Sequence, residues 1–364
     1  MERTRRVKIV TGLKCNIRCV FCYYRDNLDA PNRDMGDILR DVAYAVRRGV
    51  KEIDFSGGEP TVHPDLPRLI AEVKQQGINR VCIITNGWRL AERSYLKQLK
   101  EAGLDEILFS VHGHTGEIHD TLTSTPGSFN RLLKALGNVT AEGLILRTNT
   151  VVNSLNVHDL SGLGRLLLEY EPAQVNFITI NDWCFAKHLV DKLMVRYSEM
   201  APALRGACDL LAPRIAAVNV RYIPFCFMQG YERHVCNHRQ VSSDPYEWVP
   251  RVRARLEEGT SVWRYLGILG YGLFACGALW SLGRNSLADI LDQSVVEGLR
   301  RWFYTKRDEC GQCQYRELCD GVENTYASQF GLDELKPLPG SAITDPVHFR
   351  SGAQMCCRSG TGEA

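Results

Sequence analysis

The sequence is nearly without net charge. Its 44 lysines and arginines stand against 42 aspartates and glutamates, a formal +2 over 364 residues. Such a balance gives no reason to expect nucleic acid or a membrane surface as partner. No uninterrupted apolar run approaches the ~18 residues that a spanning helix requires. The opening residues, M-E-R-T-R-R-V-K-I-V, contain no long apolar h-region, so no signal peptide is expected. These absences point to a cytoplasmic protein. At 45% hydrophobic and 24% charged residues the composition is otherwise ordinary for globular domains, and the length suits one large α/β domain or two domains.

Cysteine is what the chain has in excess, with fourteen. Disulfides are rare in the expected compartment, so the count points to metal binding or catalysis. Three lie near the start and most of the others after Cys184, which suggests two separate sites. In the stretch from Val10 to Tyr24, Cys15, Cys19 and Cys22 stand in C-x3-C-x2-C spacing after a short apolar run. A structural zinc closed by protein takes four ligands. Three thiolates leave one corner of a metal or cluster open, where chemistry can occur. The alternatives are a zinc site completed by a distant histidine, and buried thiols with no ligand role.

From Val7 to about Ile180 one unit recurs: a helical stretch ends at a glycine, an apolar residue follows, and a strand begins. The junctions are Gly49, Gly77, Gly103 and Gly143. Leu66, Leu69, Ile70 and Val73 form one helix stripe, and Phe129, Leu132, Leu133 and Leu136 another. Short apolar strands lie between them, at 53–55, 81–84, 107–109, 144–146 and 175–178. Strands alternating with helices make βαβ crossovers and a parallel sheet. With Val7–Val10 there are about six units. Polar residues gather where the strands end: Ser56-Gly57-Gly58-Glu59-Pro60, Thr85-Asn86-Gly87, Ser110-Val111-His112-Gly113 and Thr148-Asn149. Ligands bind at that end of parallel α/β folds, and the cysteine loop shares the same rim.

A helical linker from about residue 183, with Leu189, Leu193, Tyr197 and Met200 at helical spacing, leads to a boundary near 215. Residues 1–215 then form one domain and 216–364 a cysteine-rich one. In the second, Gly272 to Cys276 reads as a hairpin strand and Leu287 to Leu299 as an amphipathic helix. Cys310, Cys313 and Cys319 come next in C-x2-C-x5-C spacing. With Cys276 upstream they supply four thiolates, enough for zinc or an iron–sulfur cluster. Cys226 and Cys236 either join Cys356 and Cys357 in a further cluster or are buried thiols beside a loose tail. Cys82, inside an apolar strand, reads as core.

The cysteine triad with Phe21, and then Gly57-Gly58-Glu59-Pro60 on the next loop, resembles the radical S-adenosylmethionine superfamily. The resemblance continues through Ser110-Val-His-Gly, His119-Asp120 and Pro126-Gly-Ser-Phe129. It resumes at Cys276 and at Cys310 to Cys319, a region similar to the SPASM/twitch extension that holds an auxiliary cluster. The resemblance implies an α/β fold: a partial (β/α)6 TIM-like barrel with a smaller cysteine-rich SPASM/twitch-like C-terminal domain. It implies a [4Fe–4S] cluster on Cys15, Cys19 and Cys22, whose fourth iron is chelated by S-adenosylmethionine. An electron from the cluster would cleave the sulfonium bond, and the resulting 5′-deoxyadenosyl radical would abstract a substrate hydrogen.

The implied roles place Phe21 near the adenine and let backbones approach closely at Gly57 and Gly58. Glu59 would accept from the methionyl ammonium, and Ser110 would touch the methionyl or ribose portion. Thr85 and Asn86 hold the third-strand position that faces the cofactor, with strand-end capping as the other reading. An auxiliary [4Fe–4S] cluster is expected on Cys276, Cys310, Cys313 and Cys319. There are two departures from the pattern. Thr123 stands where many SPASM-containing relatives have an arginine that pairs with the cofactor carboxylate, and Arg147 could supply that guanidinium instead. Glu323 stands where the full pattern has another cysteine, so one auxiliary cluster is expected rather than two.

The function expected is radical chemistry on a small natural-product intermediate, a sugar, nucleoside or amino-acid derivative, ending in oxidation, epimerisation or rearrangement. An external electron donor such as flavodoxin or ferredoxin would serve it. The first strand begins almost at once, leaving no room ahead of it for a peptide-recognition domain. Cys184 or Cys226 could return a hydrogen atom. Modification of a ribosomal peptide is the close alternative. A non-catalytic zinc or iron–sulfur scaffold is the third, and Glu59 argues against it. His112, His114 and His119 bracket the fourth-strand loop. Either one of them meets substrate, or His119 caps the next segment and the others sit at the surface.

Overall fold

The computed structural model describes residues 6–180, 192–241 and 300–350, together with Asp244, Glu247, Ser294, Glu297 and Gly298. Seven strands pair in chain order in one parallel sheet. They are β1 (Arg6–Val10), β2 (Glu52–Ser56), β3 (Arg80–Thr85), β4 (Glu106–Ser110), β5 (Ile145–Val152), β6 (Gln174–Thr179) and β7 (Ala217–Arg221). Six crossover segments therefore lie on one face. They include α1 (Met35–Arg47), α2 (Leu66–Gln75), α3 (Arg93–Glu101), α4 (Gly116–Thr123), α5 (Ser128–Ala141), α6 (Leu160–Leu168) and α7 (Tyr197–Leu211). Each lays its apolar stripe on the sheet: Leu66, Leu69, Ile70 and Val73 of α2 are all fully buried.

Alternation along the strands decides what faces where. Ile53 and Phe55, Ile107 and Phe109, Val175 and Phe177, and Val218 and Val220 join the apolar core with the helices. Between them stand Asp54, Leu108, Asn176 and Asn219, on the opposite face by the period of two. That inner face is curled. Asp54 and Arg147 sit three strands apart, about 14 Å across a flat sheet, yet the Arg147 guanidinium reaches the Asp54 carboxylate at 3.3 Å. Arg6 on β1 likewise meets Glu106 on β4 at 3.0 Å. Contacts that skip two strands require the sheet to wrap around them, making the expected partial barrel. Among the described residues its edges, β1 and β7, are not paired to each other.

The sheet has one strand more than the six expected. α7 falls in the stretch expected as a linker, but it packs on α6 and returns the chain to β7 as the last crossover. A boundary near 215 would detach β7 from its own sheet, so the barrel extends to at least Arg221. Beyond it a short antiparallel pair, β8 (Tyr304–Thr305) and β9 (Val322–Glu323), precedes a helix at Asn324–Phe330. The loop joining β8 to β9 carries Cys310, Cys313 and Cys319. This unit docks on the barrel through the Tyr326 hydroxyl, which accepts from the Tyr197 amide at 2.9 Å, and through Tyr315, which donates to Glu232 at 2.8 Å. The hairpin expected at Gly272 to Cys276, most of the helix expected from Leu287, and Cys184, Cys356 and Cys357 lie outside the described residues. Among the described residues no helix is long and apolar enough to cross a membrane.

Candidate active site

The cysteine loop leaves β1 and is fixed by its own backbone. The Cys15 amide donates to the Leu28 carbonyl at 3.1 Å, and the Val20 amide to Leu122 at 2.9 Å. Arg25 folds back to donate to the Cys19 carbonyl at 2.9 Å. The Gly57-Gly58 loop after β2 lies directly against this loop. The Gly58 amide donates to the Gly12 carbonyl at 2.9 Å and the Glu59 amide to Lys14 at 2.9 Å. A Cβ on Gly58 would stand 2.2 Å from the Leu13 and Lys14 oxygens, and one on Gly57 2.1 Å from the Gly12 oxygen. The glycines are therefore needed where loop meets loop, which sharpens the expected close approach.

Glu59 is the centre of the rim. Its carboxylate is 3% exposed. One oxygen accepts from the Thr61 amide at 3.0 Å, the Thr61 hydroxyl at 2.7 Å and the Thr85 hydroxyl at 2.7 Å. The other accepts from the Asn86 amide at 2.7 Å. All four donors are neutral. Burial pushes the carboxyl pKa up, and the bonds from Asn86, Thr61 and Thr85 oppose that. Three donors saturate the first oxygen, while the second keeps acceptor capacity for one more. A cationic donor there would neutralise a buried charge.

The Asn86 side chain bonds Asn16 at 2.8 Å and lies 3.9 Å from the Cys15 sulfur. Thr85 and Asn86 also cap their own turn, accepting from the Gly87 and Trp88 amides at 3.0 Å each. Strand-end capping is thus one role of this pair. Thr61 and Asn16 join this hydrogen-bond network, and the sequence signals them only by their adjacency to Glu59 and Cys15.

The three thiols are pushed up by burial, Cys15 to about 12, with the Glu59 charge adding to that. Cys19 is raised by burial first and then by Cys22 and Cys15, which places the three sulfurs in one electrostatic neighbourhood. Among the described residues no three His, Cys, Asp or Glu side chains are drawn close enough to hold a single metal ion. A four-iron cluster takes its thiolates at separate corners. Three soft donors beside a buried carboxylate with room for an ammonium fit a cluster with S-adenosylmethionine on its open iron.

Phe21 is half-buried and sets its ring edge on His112, with centroids 4.7 Å apart. His112 stacks on His119 at 5.9 Å, and the Val151 amide donates to its Nδ1 at 3.3 Å. Neither histidine is a surface residue: they are 3% and 1% exposed. Burial holds His112 well below the usual imidazole range, and it holds His119 at about 4. Both rings are neutral and stiffen the wall behind Phe21. Ser110 is half-buried at the end of β4 and pairs in register with Asn149. Asn149, Asn176 and Asn219 form a ladder across β5, β6 and β7, with bonds of 2.7 and 3.1 Å.

One expectation needs correction. Arg147 points into the barrel, but it lies two residues below the rim and is committed there. It pairs with Asp54 and Glu106, and it is fully buried. Burial alone would raise Glu106, yet Arg147 and Arg6 outweigh it and hold that carboxyl at about 2. Arg147 is thus part of the barrel floor, and its charge is already answered. Thr123 is equally enclosed, bonding the Ser128 hydroxyl at 2.7 Å. Cys226, a candidate hydrogen donor, lines one pocket with Cys310, Cys313 and Cys319. Burial and then those three sulfurs push it to about 12. Cys236 is apart from them and accepts from Arg350 at 3.0 Å. Cys82 is buried in the core as expected. Cys184 and Cys276 lie outside the described residues.

Comparison with known proteins agrees with this geometry. Residues 9–167 match the description of the Radical SAM superfamily. The chain is 27% identical over 341 residues to the Fe-coproporphyrin III synthase of Methanosarcina barkeri, covering 85% of this chain and 80% of that one. It is 31% identical over 188 residues to the GTP 3′,8-cyclase of Aquifex aeolicus, covering 48% of this chain and 58% of the cyclase. Among solved structures, SuiB of Streptococcus suis bound to S-adenosylmethionine superposes with a TM-score of 0.56 at 16% identity, over 92% of this chain and 76% of SuiB. The chain belongs to the radical SAM superfamily, enzymes that carry a [4Fe–4S] cluster and use S-adenosylmethionine.

Proposed function

We propose that this enzyme abstracts a hydrogen atom from a small natural-product intermediate, a sugar, nucleoside or amino-acid derivative. The observation that carries its radical half is Glu59: a buried carboxylate with only neutral donors, locked beside the cysteine loop by Gly57 and Gly58. Cys15, Cys19 and Cys22 would hold the cluster, and Glu59 would accept from the methionyl ammonium. Phe21, backed by His112, would cover the adenine. Ser110 and Asn149 would face the methionyl or ribose portion. The bound cluster supplies the electron that cleaves S-adenosylmethionine. The curled sheet and its charged floor exclude water beneath the rim and leave the rim as the way in.

Two features support a small substrate. Both curated relatives described above are named for small-molecule products. Asn149, at the rim end of the Asn149–Asn176–Asn219 ladder and in register with Ser110, is a neutral group that suits a hydroxyl or amide. A one-electron donor of the flavodoxin or ferredoxin class belongs to this reading. The test is anaerobic reconstitution, with 5′-deoxyadenosine measured against panels of deuterated sugars, nucleosides, amino-acid derivatives, tetrapyrroles and peptides. Deuterium arriving in 5′-deoxyadenosine from a small molecule supports the reading. Transfer from peptides alone makes the enzyme a peptide maturase and overturns it.

A further inference from the structure

The cysteines after the barrel form a second site, remote in sequence from the first. Cys310, Cys313 and Cys319 lie in the loop between β8 and β9. Cys226 lies far upstream, in a single turn of 3-10 helix at Phe225–Phe227 just beyond β7. Phe225 is 1% exposed and stacks on Tyr315 with centroids 5.1 Å apart, pinning that turn to the cysteine loop. All four sulfur-bearing side chains line one pocket. Its walls are mostly apolar, from Pro224, Phe225, Leu335 and Pro337.

We propose that Cys226, Cys310, Cys313 and Cys319 ligate a second iron–sulfur cluster, with Cys226 as the fourth thiolate. Three observations carry this. First, four thiols in one apolar pocket are a complete donor set for a [4Fe–4S] cluster, with no corner left for substrate. Secondly, the sulfurs accept from backbone amides. The Gly321 amide donates to Cys319 at 3.4 Å and the Leu338 amide to Cys313 at 3.4 Å. Such donors stabilise thiolates and tune cluster potentials. Thirdly, Lys306 and Arg316 line the same pocket and bring positive charge beside the thiolates. Counting cysteines along the sequence selects Cys276 for the fourth place; among the described residues the pocket brings Cys226 to the other three.

This inference stands whether or not the N-terminal site cleaves S-adenosylmethionine. Its test uses the full chain carrying Cys15→Ala, Cys19→Ala and Cys22→Ala, so that iron retained after anaerobic reconstitution reports the second site alone. The expected content is about four irons and four sulfides per chain, with a [4Fe–4S] Mössbauer signature. Adding Cys226→Ser should remove nearly all of that iron, as Cys310→Ser must, while Cys276→Ser leaves it. Cys226→Asp is the companion that guards against a serine variant failing to fold, since it keeps a ligand that iron accepts. It should retain iron with altered g-values of the reduced cluster. Full iron in Cys226→Ser, unaltered g-values in Cys226→Asp, loss of iron in Cys276→Ser, or zinc in place of iron would each overturn the assignment. Formation of 5′-deoxyadenosine by the single Cys226→Ser variant tests the N-terminal reading separately.

Discussion

The hydroxyl of Thr85, at the end of β3, donates to the carboxylate of Glu59, beyond the end of β2, at 2.7 Å. The bond joins two neighbouring strand ends and helps keep a buried carboxylate ionised. Thr85→Val keeps the side-chain shape and removes only the donor. A hydrogen bond to a charged group contributes about 1.5–3 kcal/mol. The Kd for S-adenosylmethionine, measured by calorimetry on reconstituted protein, should therefore rise about tenfold or more. An unchanged Kd would mean that Glu59 does not receive the cofactor's ammonium.

Gly58 separates two backbones that leave no room for a side chain. A Cβ there meets two carbonyl oxygens at 2.2 Å, so Gly58→Ala must pry the Glu59 loop from the cysteine loop. Iron at the N-terminal site and 5′-deoxyadenosine formation should both fall more than about tenfold, with overall helicity retained. Wild-type levels of both would show that the two loops are not held against each other.

Arg147 separates a floor role from a cofactor role. Arg147→Met leaves Asp54 and Glu106 buried with Arg6 as their remaining shared partner. Removing one member of a buried ion network costs about 3–5 kcal/mol. The variant should unfold at markedly lower denaturant, and its folded fraction should bind S-adenosylmethionine as the wild type does. A stable variant with weakened cofactor binding would restore Arg147 to the rim.

The His112–His119 pair predicts an acid-side loss of stability. His119 titrates at about 4 in the folded chain against 6.5 for a free imidazole. Between those values the unfolded chain binds more protons, so stability falls as pH falls through that window. Denaturant unfolding at pH 7 and pH 5 should show the loss, and His119→Asn should reduce it while leaving an acceptor for the His112 amide. An equal loss in the variant would place the acid sensitivity elsewhere.

Much of this is legible in the sequence, for physical reasons. The helix stripes and glycine junctions carry the βα rhythm, and Gly57-Gly58-Glu59 stands at a strand end where ligands collect. The inner face is the part that sequence hides. Asp54, Asn176 and Asn219 each interrupt an apolar run once, and Arg147 opens a polar stretch that runs to Thr150. In a short strand one polar residue resembles noise, until the register lines it up with its neighbours. The seventh strand is hidden because α7 reads like any helical connection, and the chain beyond β7 is rich in cysteine. Cys226 cannot be placed from spacing alone, since spacing says nothing about a sulfur brought in from 84 residues before Cys310 by the turn after β7.

The most direct measurement is 5′-deoxyadenosine formation by the chain carrying Cys15→Ala, Cys19→Ala and Cys22→Ala, after anaerobic reconstitution and chemical reduction. The account predicts none above background, alongside clear formation by the wild type and a loss of about four irons per chain. Production of 5′-deoxyadenosine by the triple variant at a rate comparable with the wild type would contradict it.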